Sequence, residues 1–221
     1  MLFPPSRPSL QHAGRELCTH LEREPFATIF GERWPWAADL ARLEWSLVEA
    51  WLAADATPLP PTALASLAPD AFGTLRFGTS PSLALLRLAW PVADLRERFE
   101  RADGPGPTRE HACPNGVGAC DAPGPGDDSA PALERKATPV RVWRQGESVR
   151  FKMLSDVEAA ALEQVIAGES FGDVCETVAR FVGEAEAPAR AAALLAGWIA
   201  DELIVGVEAN AEAAGAAPAA E

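Results

Sequence analysis

Histidine, cysteine and paired carboxylates are where metal or nucleophilic chemistry would begin, and this chain uses them sparingly. Its three histidines are His12, His20 and His111, and its four cysteines are Cys18, Cys113, Cys120 and Cys175. His12 and His20 share one face of a predicted helix but stand about 12 Å apart along its axis, too far for both to reach one metal easily. The run His111-x-Cys113-x6-Cys120 lacks the Cys-x2-Cys knuckle and the fourth ligand of a zinc site, so it reads as two thiols in a loop. Cys18 and Cys175 fall inside predicted helices, where a free cysteine behaves as a small hydrophobe. The sequence has no Gly-rich phosphate loop, no Ser/His/Asp arrangement and no carboxylate pair at a working spacing. It therefore reads as a non-catalytic chain, with no metal and no cofactor expected.

Charge is the more telling pattern. The 221 residues carry a net charge of −13, very unevenly placed. Residues 135–152 hold six basic side chains (Arg135, Lys136, Arg141, Arg144, Arg150 and Lys152) against one acid, a local +5. Residues 153–221 hold thirteen acids against two bases, a local −11. A short cationic strip thus sits in an acidic molecule, and it is the natural place to seek an anionic ligand.

The elements that must carry this strip follow from periodicity. Leu10, Ala13, Leu17 and Leu21 recur at helical spacing over 9–24, and Pro25 stops that helix. A second helix is predicted from Trp36 to Ala54, with Leu40, Leu43, Leu47, Ala50 and Trp51 on its core face. The Pro-rich 58–61 segment gives an extended connection, and a short helix follows at 62–68. GTLRF (73–77) and SLALLRLAW (82–90) read as a strand pair, although the second, a continuous apolar run, could equally be helical, and a helix opens at Pro91 and runs to about Ala102. Residues 103–137 are rich in Pro and Gly and poor in large apolar residues, the composition of a linker.

From 138 the alternation returns. Val140 and Val142 alternate with Arg141 and Trp143, Gln145-Gly146-Glu147 makes a turn, and Val149, Phe151 and Met153 alternate with Arg150 and Lys152. Ser155 and Glu158 form a capping box, Gly168 ends that helix, and Ser170 with Asp173 opens the next. A third helix spans about Pro188 to Asp201, a strand covers 203–207, and the tail from Ala209 is low-complexity. The expected architecture is α+β: a helical N-terminal part with a short strand pair (1–102), a linker (103–137), a winged-helix-like module (138–208) and a tail (209–221).

Two ligands fit that module. A DNA reader would place the basic hairpin on phosphates and a helix in the major groove. The candidate helices, however, offer Asp173, Glu176 and Arg180, or Arg190 among alanines and leucines, a poor set for reading base edges. A peptide binder would instead add an extended strand to the hairpin edge. Val149, Arg150, Phe151, Lys152 and Met153 would then form the receiving strand, with Leu194 and Trp198 either taking apolar anchors in an adjoining groove or simply filling the core.

The runs AADLARLEWSLVEAWLAAD (37–55), LRFGTSPSLALLRLAWPVADL (75–95), VRVWRQ (140–145) and LEQVIAGESFGDVCE (162–176) resemble the HvfC/BufC family, catalogued under a DNA-binding-domain label. The last block is also similar to the PqqD-like leader-recognition fold. The resemblance covers most of residues 36–207. It implies a cytoplasmic accessory protein, not an enzyme, that presents a ribosomally made precursor peptide to a multinuclear non-heme iron oxygenase. It also implies that Arg42, Glu44 and Trp45, in the most recognisable motif, serve either internal packing or the enzyme interface. Typical members begin with a longer helical domain, so this chain would be an N-terminally short one. The alternative is a DNA-binding transcription regulator. The N-terminal run MLFPPSRPSL has Pro4, Pro5 and Pro8 where an export signal would need an apolar stretch, and no window of the sequence approaches eighteen uncharged apolar residues, so neither export nor a membrane span is expected.

Overall fold

The computed structural model describes residues 10–23, 26–31, 33–64, 69–102 and 133–209. His111, Cys113 and Cys120, and the tail beyond residue 209, lie outside them. In chain order come α1 (Leu10–Leu21), α2 (Phe26–Gly31), α3 (Ala37–Leu52), β1 (Leu75–Thr79), β2 (Ala84–Leu88), α4 (Val92–Ala102), β3 (Thr138–Gln145) and β4 (Ser148–Met153). Then follow α5 (Asp156–Ile166), α6 (Phe171–Val182), α7 (Ala187–Ala200) and β5 (Ile204–Ala209). Helices and antiparallel sheets together make an α+β protein.

The contacts divide into two units, residues 1–41 with 89–137 and residues 42–88 with 138–221. The first contains α1, α2, the opening turn of α3, and α4. Asp39 is buried there, and its carboxylate accepts the backbone N–H groups of Ala89 and Trp90 at 2.7 and 3.0 Å. A buried carboxylate satisfied by main-chain donors pins the entry to α4, whose Val92, Ala93 and Leu95 are buried. Leu17, expected on the core face of the first helix, is exposed.

The second unit holds both sheets, and here the expected division at 102 and 138 gives way. The segments 73–77 and 82–90 do not pair with each other. β1 pairs antiparallel with β5, whereas β2 pairs with β3 to give a three-stranded sheet in the order β2-β3-β4. The cause lies in the intervening turn. Ser80 donates its N–H to Leu203 at 2.8 Å, while the buried Ser82 hydroxyl accepts the Arg144 N–H at 3.1 Å. These bonds hold the two ends of the turn against different sheets. An isolated two-stranded hairpin is marginal in water, so each strand gains by joining the C-terminal elements.

The core of this unit lies among α5, α6 and α7, one face of β3, and the β1-β5 pair. It is built from Leu162 and Val165 of α5, Val174 and Val178 of α6, Ala191, Leu194, Leu195, Trp198 and Ile199 of α7, and Leu75, Phe77, Trp143 and Ile204 of the strands. The three- and four-residue spacing in each helix is what puts those side chains on one stripe. Full burial of each large one contributes about 1.5–3 kcal/mol. Phe171 stacks edge-on against Phe72 and Phe77, and Gly172 lets the start of α6 approach the Gly73 carbonyl, where a Cβ would stand 3.0 Å away. On the part of α3 that belongs to this unit the buried positions are Leu43, Ser46 and Ala50. Trp51, expected among them, is 55% exposed, because one residue past Ala50 turns it 100° around the helix.

Candidate functional site

The hairpin is positioned from its tip. Gln145 pairs with Ser148 across the two-residue loop Gly146-Glu147. Gly146 has φ +56° and Glu147 does not have positive φ, the sign pattern of a type II′ turn, which matches strand twist. The C-terminus of α7 clasps this turn. Leu203 N–H bonds the Trp198 carbonyl and Glu202 N–H bonds that of Ile199, a Schellman ending with Glu202 at the left-handed position, φ +62°. That conformation usually calls for glycine. Glu202 is held in it by a bond from Gly146 N–H to its carboxylate at 3.2 Å, while Gln145 Nε2 donates to the Ala200 carbonyl at 3.1 Å.

The basic strip is largely consumed inside the fold. Arg141 is 1% exposed, stacks on Trp143 at 4.4 Å, bonds Asp201, and lies 3.5 Å from Glu158. Lys152 shares Glu158 at 3.6 Å. Arg144 bonds Asp55 at 2.6 Å and donates to the carbonyls of Trp51 and Ala54, capping the end of α3. Each of these pairs answers a cation with a carboxylate from the acidic remainder. Arg150 is exposed and has no ion pair among the described residues. Of the four hairpin cations in the expected basic strip, Arg141, Arg144 and Lys152 are thus taken up by carboxylates, and among the described residues Arg150 has none.

Among the described residues β4 pairs with β3 alone, and the register places Arg150 opposite Trp143 and Lys152 opposite Arg141. Counting from the Gln145–Ser148 pair at the tight turn, hydrogen-bonded pairs alternate with open ones. Arg150 and Lys152 therefore direct their main-chain groups into β3. Val149, Phe151 and Met153 direct theirs outward, where no described residue meets them. Side chains alternate too: Arg150 and Lys152 are exposed on the face of Trp143, whereas Val149, Phe151 and Met153 are half-buried on the face of Val140 and Val142. The five expected strand residues thus form one continuous unpaired edge.

Leu194 and Trp198 do not join it. They are 7% and 1% exposed and belong to the core, because α7 turns its Ala191-Leu194-Leu195-Trp198 stripe inward. Sequence spacing marks such a stripe but does not say whether a groove opens over it. The outward face of α7 carries Pro188, Ala189, Arg190, Ala192, Ala193, Ala196 and Gly197, and α6 exposes Glu176, Arg180 and Phe181. Between them Cys175, Ala179, Ala187 and Pro188 floor a shallow groove of about 520 Å³ edged by Glu176, Arg180 and Glu184. Burial raises the Cys175 thiol above its ordinary pKa, the opposite of an activated nucleophile.

Arg42, Glu44 and Trp45 are half-buried on α3. One turn further along, Val48, Trp51 and Leu52 are exposed at helical spacing, an apolar stripe whose end is fixed by Arg144. Trp51 was expected on the core face; the 100° step that separates it from Ala50 is the signal that could have placed it on this stripe instead. Among the described residues no three His, Cys, Asp or Glu side chains are grouped to hold a metal, and no helix is long and apolar enough to cross a membrane. No protein-family model matches the chain, and no curated protein is similar to it in sequence.

Proposed function

We propose that this chain is a non-catalytic accessory protein of the HvfC/BufC type, acting in the cytoplasm. It takes an extended precursor peptide as an added strand on β4 and hands it to a partner iron oxygenase. The observation that carries the reading is the free β4 edge, with the main-chain groups of Val149, Phe151 and Met153 facing outward. Strand addition draws its affinity from such groups and its selectivity from alternate side chains. The hairpin is held at its tip by α7, so little ordering is required on binding. A leader-recognition-like module is the form this reading takes; its docking surface for the enzyme would be the exposed Val48, Trp51 and Leu52 stripe together with the half-buried Arg42, Glu44 and Trp45.

The DNA reading has less to work with. The helices that would enter a groove expose one arginine each, Arg180 and Arg190, among alanines, proline and carboxylates, and three of the hairpin cations are already paired. Base readout needs Arg, Lys, Asn or Gln on such a helix.

A proline at an edge position whose N–H faces outward leaves the ladder intact while blocking the added strand. Phe151→Pro should therefore abolish capture of fluorescein-labelled, Cys-containing precursor peptides while the far-ultraviolet spectrum stays native. Phe151→Ala controls for the lost ring. Arg150→Pro, which removes a β3–β4 bond, should instead unfold the hairpin. Unchanged peptide affinity in Phe151→Pro, with tight and salt-steep binding to random duplex DNA, would overturn the proposal.

A further inference from the structure

We infer that β4 selects a specific five-residue pattern in its ligand, read from N to C as apolar, any, apolar, acidic, apolar, running antiparallel to β4. This deepens, and rests on, the strand-addition reading. In an antiparallel addition the ligand residues opposite Val149, Phe151 and Met153 form the hydrogen-bonded pairs, since those positions direct their main-chain groups outward. Directly opposed side chains share a face. Ligand positions opposite Val149, Phe151 and Met153 thus lie on the half-buried face that continues Val140 and Val142, and apolar residues suit them.

The remaining two ligand positions oppose Lys152 and Arg150 in open pairs, the class in which Cα atoms approach to about 4.5 Å and side chains are closest. The two cations are not equivalent. Lys152 already shares Glu158, which is fixed in turn by the buried Arg141. Its charge is answered before any ligand arrives. Arg150 is exposed and has no carboxylate partner among the described residues, so a ligand carboxylate opposite it completes an ion pair instead of competing for one. Selection for acid is therefore concentrated at the fourth ligand position. A cationic edge also discourages pairing with a second copy of the same strand, which leaves an acidic partner favoured.

The test uses the full chain and fluorescein-labelled peptides with a Val-Thr-Val-Glu-Val core between Gly-Ser flanks, read by anisotropy and by backbone amide shifts. Moving the Glu to the second position, or replacing it by Thr, should weaken binding roughly two- to fivefold, the scale of one cross-strand charge pair. Arg150→Glu should reverse the preference, binding the Val-Thr-Val-Lys-Val core better than the Glu core, whereas Lys152→Glu should not. Binding that shifts the Val149, Phe151 and Met153 amides but is indifferent to the charge at the fourth position would overturn this pattern and leave strand addition standing. An absence of binding by every core, with those amides unmoved, would overturn both.

Discussion

Arg141 and Arg150 are two charges in the same basic strip with opposite roles, and replacing each by methionine separates them. Arg141→Met keeps most of the aliphatic stem over Trp143 and removes the guanidinium from between Asp201 and Glu158. Deleting one partner of a buried ion pair costs about 3–5 kcal/mol, because a charge is left uncompensated. Two features move this case to the low end. Asp201 is 35% exposed and can recover water, and Glu158 keeps Lys152 at 3.6 Å. The expected loss is thus about 3 kcal/mol, or a Tm lower by about 6–12 °C for a chain of this size. Arg150→Met touches no described partner and should stay within about 0.5 kcal/mol of the parent. Urea titration followed by tryptophan fluorescence measures both. A loss below about 1 kcal/mol for Arg141→Met would refute the assignment of Arg141 to the fold and return it to the ligand surface.

The Ser170–Asp173 capping box makes a second prediction. Asp173 is held below its ordinary value of 3.8, first by the Ser170 hydroxyl and then by the Ser170 backbone N–H. A depressed folded pKa contributes stability that is present above 3.8 and lost as pH falls through the lower folded value. Loss of the N-cap in Ser170→Ala should cost about 1 kcal/mol near neutrality, and because the cap also favours the ionised Asp173, the deficit relative to the parent should shrink in strong acid. A deficit that does not change with pH would separate the cap from Asp173. Cys175, with its thiol raised by burial, should be alkylated several-fold more slowly in the native protein than in urea, as followed by peptide mapping. Equal rates would mean that α6 opens freely along that groove.

Much of this fold was legible because local signals and packing agree. Gly168, Gly146, Ser155 and the Ser170–Asp173 box mark their turns and caps by residue type, and the structure uses each of them there. What was not legible depends on distant partners. Nothing near 75–88 says that β1 will find β5 or that β2 will find β3, since strand alternation fixes a face but not a neighbour. α2 lies just past a proline and is too short, at six residues, to show a period. Glu202 takes a backbone position that favours glycine, and its reason is a hydrogen bond from a turn more than fifty residues earlier. For the candidate site, the alternation of Val149 to Met153 could be read in advance. The burial of Leu194 and Trp198 could not, because an apolar stripe looks the same whether it floors a groove or fills a core.

The strip shows why a count of charges differs from their availability. The six cations of 135–152 suggest a surface for polyanions, but Asp55, Glu158 and Asp201 answer Arg144, Lys152 and Arg141. Three carboxylates of the acidic body thereby build the hairpin's support, and Arg150 is left exposed with no carboxylate partner among the described residues. This distinction has a measurable form. A duplex neutralised by all six cations would release counterions with a log–log salt slope of about −5, whereas binding that engages Arg150 alone should give a slope of about −1 or shallower. Main-chain bonds along Val149, Phe151 and Met153 add no salt dependence of their own. Titrating a bound peptide from low to high salt should consequently weaken it only several-fold. A slope near −5 with any ligand would mean that the internal ion pairs open on binding, and the fixed hairpin inferred from Arg141, Gln145 and Glu202 would have to be abandoned.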